Sequence, residues 1–196
     1  MNALAPVPGL DERCNGILPV LVNPQNNHMR RLLPLLLLFA LTACDKPVVD
    51  PVEACDLQAA YAANQGKVTI TAGVWGTVSQ MSGNCMPIVG PGSTCRHCAV
   101  QRTVRFYEYT LRSQATAAPN TSGFYSSFNT QLVREVPADP LGFYQANLPP
   151  GTYTMVIVEN GLLYANGIDA SNGINPVTVT SGLTQRNFIS TYQAVF

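Results

Sequence analysis

Cysteines are the residues of this chain best suited to chemistry. Cys95 and Cys98 are separated by two residues, the second of which is His97. Metal-binding and thiol-redox motifs both use this Cys-x-x-Cys spacing. Cys85 lies a short distance before them. Three thiols and one imidazole can complete a tetrahedral zinc site. One hypothesis is therefore a zinc-binding or thiol-redox protein that uses Cys85, Cys95, His97 and Cys98.

Structural disulfides are the competing interpretation, and the sequence favours them. A zinc ribbon has two paired motifs, whereas this chain has a single Cys-x-x-Cys, and Ala99 occupies the position where a haem attachment motif has histidine. A redox motif begins a helix, but this one leads into a β-rich segment. We predict no metal cofactor and two disulfides, one from Cys85 to Cys95 or Cys98 and the other using Cys55. Four cysteines allow three pairings, and the sequence alone does not choose between them.

Cys44 has a different context. Arg30 and Arg31 precede an apolar run over residues 32–43, which is too short to cross a bilayer core of about 30 Å as a helix. A basic flank, a short apolar core and small residues before a cleavage point are typical of a secretory signal. The four residues Leu-Thr-Ala-Cys that end at Cys44 resemble the lipobox of bacterial lipoproteins. The resemblance implies that Cys44 carries palmitate-type acyl chains and becomes the first residue of the mature protein.

Four segments follow from this assignment. Met29 directly precedes the two arginines, so translation is expected to start there, and the polar residues before it are expected to be disordered or an incorrectly assigned upstream extension. The segments are residues 1–28 (extension), 29–43 (signal peptide), 44–66 (lipidated tether with a short helix over residues 52–65) and 67–196 (folded domain).

The folded domain has the pattern of β-strands. Residues 67–78 are rich in β-branched side chains, residues 153–159 are almost wholly apolar, and residues 186–196 alternate Phe, Ser, Tyr, Ala and Phe. Asn160-Gly161 favours a tight hairpin because both residues tolerate positive φ. No convincing amphipathic helix follows residue 66. We predict an all-β fold, a single antiparallel β-sandwich of seven or eight strands.

A resemblance sharpens this fold. Residues 142–154, Gly-Phe-Tyr-Gln-Ala-Asn-Leu-Pro-Pro-Gly-Thr-Tyr-Thr, resemble an element of the carboxypeptidase regulatory-like (transthyretin-like) sandwich family, and residues 73–78 resemble its first strand. Residues 83–87 and 163–177 are similar to lipoproteins of Bacteroidota that carry this domain. The resemblance implies a prealbumin-like sandwich with an accessory or adhesive role and no activity of its own. The chain departs from the family in an insertion over residues 79–99.

The sequence does not contain a convincing catalytic set. His97 is the one histidine after Cys44, no Gly-x-Ser-x-Gly motif is present, and no spacing pairs two carboxylates. Phosphate-binding and dinucleotide-binding motifs are also missing. We therefore predict that the protein is not an enzyme.

A ligand-binding face is predicted around two tyrosines and one polar loop. Tyr107 and Tyr109 could present rings to a glycan or a partner, and Asp169 and Asn172 offer oxygens to a cation or a sugar. The alternatives are ordinary cross-strand packing of the tyrosines and a loop closed by its own Asx turns. The sequence leaves both interpretations open, the ligand-binding face and the purely structural role of these residues.

Charge and composition narrow the function. The chain has 11 basic and 11 acidic residues, so no net positive charge favours nucleic acid. The expectation is a lipid-anchored protein of the bacterial cell envelope, with the outer membrane favoured, on its periplasmic or surface side. Its role is expected to be a non-enzymatic binding or structural module for an envelope protein or a glycan.

Overall fold

The computed structural model describes residues 53–87 and 93–196, and in them it confirms the all-β prediction: strands dominate and a single short α-helix precedes them. Cys44, the signal segment and residues 1–28 lie outside the described residues. In chain order the elements are α1 (Leu57–Gln65), β1 (Gly73–Asn84), β2 (Arg96–Ala99), β3 (Thr103–Glu108), a 3-10 helix (Arg112–Gln114), β4 (Ala115–Ala117), β5 (Phe124–Phe128), β6 (Leu132–Pro137), β7 (Phe143–Ala146), β8 (Gly151–Glu159), β9 (Leu162–Tyr164), β10 (Pro176–Val179), β11 (Leu183–Gln185) and β12 (Phe188–Val195).

The first sheet is built on β1. β7 and β2 pair with one edge of β1 in antiparallel register, while β11 and β12 pair with the other edge in parallel register. The prediction of purely antiparallel sheets therefore does not hold for the edge of β1 that pairs with β11 and β12. Because β1 is 12 residues long, each of its edges accommodates two short strands, placed one after the other along the length of β1.

The second sheet has the order β4-β5-β9-β8-β3-β6, with β10 beside β8, and every pair in it is antiparallel. The predicted hairpin at Asn160-Gly161 joins β8 to β9, and the two residues have φ of 52° and 81°. Positive φ at both central residues matches the twist of the flanking strands.

The core lies between the two sheets. Val74 and Val78 of β1 belong to the same buried cluster as Phe106 of β3 and Met155 of β8. The ring of Phe106 lies 6.1 Å from that of Tyr144, which comes from β7 in the opposite sheet and is almost fully buried. Packing of the two inner faces in this way is what defines a β-sandwich.

A second, smaller cluster covers the outer face of the second sheet. Tyr107 and Val156 point away from the main core, and Ile174 and Phe128 pack over them. Both faces of β3 and β8 are consequently buried. This explains why the sequence of β8 is an almost continuous apolar run.

Helix α1 packs against the first sheet. Asp56 caps its start by accepting a hydrogen bond from the Ala59 amide, and the buried Asn64 near its end donates to the Thr77 hydroxyl at 2.9 Å and to the Leu141 carbonyl at 2.8 Å. Lys67 forms an ion pair of 2.6 Å with Asp139. Residues from 53 onward therefore belong to the folded body, and the helix lies within the range in which the sequence predicts one.

The strands are more numerous than the seven or eight predicted, with twelve among the described residues. The additional ones are β2, β4, β5 and β11, which have only three to five residues each. Within the predicted insertion over residues 79–99, Ser79 to Ser82 pair with Ala99 to Arg96 and so extend the first sheet.

Candidate functional site

Two disulfides join the four cysteines of the described residues. Cys85 is bonded to Cys95 and Cys55 is bonded to Cys98, each with an Sγ–Sγ distance of 2.00 Å. This is one of the two pairings that the sequence favours. The first closes the end of the β1–β2 hairpin, and the second ties the residues before α1 to β2.

The alternative zinc or thiol set is not assembled. The sulfurs of Cys85, Cys95 and Cys98 are all in disulfides, so none of them offers the thiolate that a metal ion or a redox reaction requires. No group of three or more His, Cys, Asp or Glu side chains suited to a metal occurs within residues 53–87 and 93–196. The geometry therefore gives no support to the prediction of a site at Cys85, Cys95, His97 and Cys98.

His97 has a different partner. Its Nε2 lies 2.9 Å from the hydroxyl of Ser79, a fully buried residue of β1. Burial lowers the pKa of the imidazole, because the charged form loses solvation. No carboxylate of the described residues orients the ring, and a fully buried hydroxyl cannot reach a substrate. The pair therefore satisfies a buried serine and does not form a catalytic dyad.

Three of the predicted ligand-face residues meet at one loop, while Tyr107 lies elsewhere. Tyr107 is buried, with its ring 5.0 Å from that of Phe128 in an edge-on contact. The hydroxyl of Tyr109 donates to Asp169 Oδ2 at 2.8 Å, and Asn172 completes the turn with a φ of 66°. Packing against the sheet is therefore the role of Tyr107 in the fold.

The carboxylate of Asp169 already accepts three hydrogen bonds from the protein. Its Oδ1 accepts hydrogen bonds from the amides of Ser171 at 2.9 Å and Gly173 at 2.7 Å. The Tyr109 hydroxyl, followed by these amides, lowers the pKa of Asp169, and the same carboxylate raises the pKa of Tyr109. The ring of Tyr109 lies so close to Gly173 that a Cβ there would meet its oxygen at 2.2 Å. The loop is locked by an Asx turn, and its oxygens are not arranged around a cation.

A groove of about 710 Å³ opens where β5, β9 and β12 meet. We call it the aromatic groove. Its walls combine aromatic rings with amide and hydroxyl groups, from Phe124, Tyr164, Asn166, Thr191, Tyr192 and Phe196.

Three rings form the wall of the aromatic groove, and they join the two sheets. The ring of Phe124 lies 4.8 Å from that of Tyr164 and 5.2 Å from that of Tyr192, and the two tyrosine rings are 5.3 Å apart. Tilted and edge-on contacts at these distances are the preferred geometry of aromatic pairs. Phe196 is 65% exposed and adds a fourth ring at the rim.

Hydrogen bonds fix the polar side chains of the groove. Asn166 donates from Nδ2 to the Ile189 carbonyl at 2.8 Å, which leaves its Oδ1 without a hydrogen bond from the described residues. The hydroxyls of Tyr164 and Thr191 lie 3.2 Å apart. The register of β1 and β12 shifts here, so that Thr191 and Tyr192 oppose Met81 alone. Such a bulge re-aims side chains, and in this case both neighbours line the groove.

Charges surround the aromatic groove unevenly. Behind Tyr192, the guanidinium of Arg102 forms an ion pair with the buried Glu159 and donates to Gln80 at 3.3 Å. Burial, followed by the carboxylate of Glu159, raises the pKa of Tyr192. Arg112 is the one charged side chain of the groove lining, which contains no Asp, Glu or Lys.

Sequence reasoning missed this groove, although one signal was present. The alternation over residues 186–196 places Tyr192 and Phe196 on one parity of a strand. The contacts with Phe124 and Tyr164 depend on how the sheets pack, and β5 itself was not predicted.

No protein-family model matches the chain, and neither a curated protein nor a solved structure matches it. No helix among the described residues is both long and apolar enough to cross a bilayer. The proposed function therefore rests on the fold and on the groove.

Proposed function

We propose that this protein is a lipid-anchored, non-enzymatic lipoprotein of the bacterial cell envelope that binds a glycan in its aromatic groove. The single observation that carries the binding role is the combination, in one concave site, of aromatic rings with neutral hydroxyl and amide groups. Sugars present apolar ring faces and many hydroxyl groups, so both parts of such a site have a counterpart on the ligand.

The shape of the groove favours a glycan over a protein partner. A volume of about 710 Å³ is within the range of about 300–1,000 Å³ that is usual for small-ligand sites. A stable protein interface instead needs about 800 Å² on each partner. The hydroxyls of Tyr164 and Thr191 and the Oδ1 of Asn166 are held by the fold, so little side-chain entropy is lost when a ligand binds them.

The lipid anchor rests on the sequence around Cys44, and the disulfides support it. Disulfides persist outside the reducing cytosol, as expected for an exported protein. The link from Cys55 to Cys98 fixes one end of the tether to β2. The eleven peptide units from Cys44 to Cys55 extend over at most about 40 Å. A lipid on Cys44 would thus hold the domain close to the membrane, for which we favour the outer membrane.

The residues around the groove support binding without turnover. Its lining contains no His, Cys, Asp or Glu, and general acid–base or nucleophilic catalysis draws most often on these residue types.

Metabolic labelling tests the anchor. Cells that express the full chain and are fed an alkyne analogue of palmitate should yield a labelled protein in the membrane fraction. Cys44→Ala should lose the label, whereas Ser181→Ala, a change at an exposed bend of the folded domain, should keep it. An unlabelled wild-type protein would overturn the proposed anchor.

An oligosaccharide array probed with the purified lipoprotein in detergent tests the binding role. Phe196→Ala, which truncates an exposed groove ring, should reduce any signal at least several-fold. Leu183→Ala, which truncates another exposed apolar side chain, on β11 outside the groove, should leave the signal intact. Saturable binding of a protein at the groove, with no glycan bound, would replace the glycan proposal.

A further inference from the structure

We infer that the ligand of the aromatic groove is an acidic saccharide, whose carboxylate is bound by Arg112. This inference rests on the proposed function and names its ligand class. It depends on the position of Arg112 in the lining, on the ion pairs formed by other residues, and on the absence of Asp and Glu side chains from the groove lining.

Arg112 stands on a backbone that the fold holds firmly. Its amide donates to the Asn172 carbonyl at 2.9 Å, and it begins a 3-10 turn that is closed by the bond from the Gln114 amide to Leu111. The side-chain Oε1 of Gln114 accepts a hydrogen bond from the Leu111 amide at 2.9 Å. The Cα of Arg112 is therefore fixed at the groove, while its side chain remains exposed.

No acidic side chain within residues 53–87 and 93–196 forms an ion pair with Arg112. The ion pairs there use Lys67, Arg102 and Arg105 with Asp139, Glu159 and Glu135. The guanidinium of Arg112 consequently has its donors available to a ligand. None of the lining side chains is Asp or Glu, so no acidic side chain of the lining opposes an anionic group there.

The chemistry of a uronic acid matches this distribution. Guanidinium is a planar fork that binds a carboxylate through two parallel hydrogen bonds. The rest of the sugar ring carries hydroxyl groups for Asn166 and Thr191 and an apolar face for the rings of Tyr192 and Phe196. As the one charged side chain of the lining, Arg112 can pair with one carboxylate of the ligand.

The test compares ligands that differ only in charge. Titration calorimetry on the full lipoprotein in detergent would use a galacturonic acid tetrasaccharide and its carboxyl-reduced counterpart, in which each carboxylate becomes a hydroxymethyl group. A second arm would use a disaccharide that contains muramic acid, whose carboxylate is on a lactyl ether. We expect one acidic saccharide to bind about tenfold more tightly than its neutral counterpart. The arm that shows the preference identifies the source of the carboxylate.

Arg112→Gln should remove this preference, so that acidic and neutral saccharides bind alike, and Arg112→Lys should keep part of it. Arg134→Gln, which changes an exposed arginine of β6 outside the groove, should retain the full preference. The preference should also shrink as NaCl is raised, because an exposed ion pair is screened.

Failure of this inference is distinguishable from failure of the proposed function. Equal binding of acidic and neutral saccharides, lost in Phe196→Ala but unchanged in Arg112→Gln, would overturn the acidic ligand and leave the glycan site standing. A preference that survives Arg112→Gln with an unchanged thermal unfolding profile would also overturn it. Absence of binding by either saccharide class would contradict both proposals.

Discussion

The rings of Tyr164 on β9 and Tyr192 on β12 lie 5.3 Å apart, although the two strands belong to different sheets. Their contact closes one end of the sandwich and forms the wall of the aromatic groove. Tyr192→Ala should therefore lower both stability and binding. Truncation of this half-buried ring, which also contacts Phe124, should reduce the free energy of unfolding by about 2 kcal/mol. Urea denaturation and oligosaccharide titration measure the two effects.

Tyr192→Phe separates the ring from its hydroxyl. The aromatic contacts persist in this variant, so the free energy of unfolding should stay within about 1 kcal/mol of the wild type. A loss as large as that of Tyr192→Ala would mean that the hydroxyl, which lies beside Glu159 and Arg102, dominates the contribution of this residue.

We expect opposite changes in the free energy of unfolding when two buried serines of the first sheet are replaced by alanine. Ser79 and Ser190 are both fully buried, but Ser79 shares a hydrogen bond with His97, whereas the hydroxyl of Ser190 has no partner among the described residues. Ser79→Ala should cost about 1 kcal/mol of unfolding free energy, because His97 loses its partner as well. Ser190→Ala should be neutral or stabilising by up to about 1 kcal/mol, because an unpaired buried hydroxyl is unfavourable.

Thermal unfolding of the two variants, side by side, provides the measurement. Equal losses in both would indicate that Ser190 has a partner, such as an ordered water, that offsets its burial.

The all-β class and the hairpin at Asn160-Gly161 follow from local rules. β-branched residues favour strands wherever they lie, and positive φ at two adjacent turn residues restricts the choice to Asn, Asp and Gly. The sequence favoured two of the three possible disulfide pairings, and the pairing of Cys85 with Cys95 and of Cys55 with Cys98 is one of them.

Long-range relationships could not be derived in this way. The parallel register of β1 and β12 joins residues more than one hundred positions apart, and no local pattern encodes it. The groove also depends on long-range contacts, since Phe124 and Tyr192 belong to different sheets and meet where these sheets pack. Asp169 is a local case that the sequence left open between ligand binding and an Asx turn. Its oxygens look available in the sequence, but amides a few residues away occupy them in the fold.

The two disulfides should differ in their contribution to stability. The bond from Cys55 to Cys98 spans 43 residues and that from Cys85 to Cys95 spans 10. In the chain-entropy model, a longer loop loses more conformational freedom in the unfolded state, which gives about 4 kcal/mol for the first bond and about 3 kcal/mol for the second.

Paired replacement by serine tests this order. The variant C55S/C98S should unfold at lower urea than C85S/C95S, and α1 should lose amide-exchange protection only in the former. Labelling with an alkylating reagent should find no free thiol at these four positions in the wild type. The reverse order of stability would show that native contacts near the hairpin outweigh the entropy of the longer loop.

Stability should fall as the pH drops through the titration of His97. Burial holds the folded-state pKa of this imidazole below its usual value near 6.5, so the unfolded chain binds the proton more readily. The contribution of neutral His97 is therefore complete above about pH 6.5 and is lost as the pH falls through the lower folded pKa. Proton NMR can follow the ring directly, because His28 precedes Cys44 and His97 is the one histidine expected in the mature protein. His97→Gln, which retains a polar partner for Ser79, should flatten the pH dependence of the unfolding free energy in this window. A titration midpoint at or above 6.5 would contradict a pKa that partial burial lowers, and would instead indicate an interaction of His97 with an anionic group.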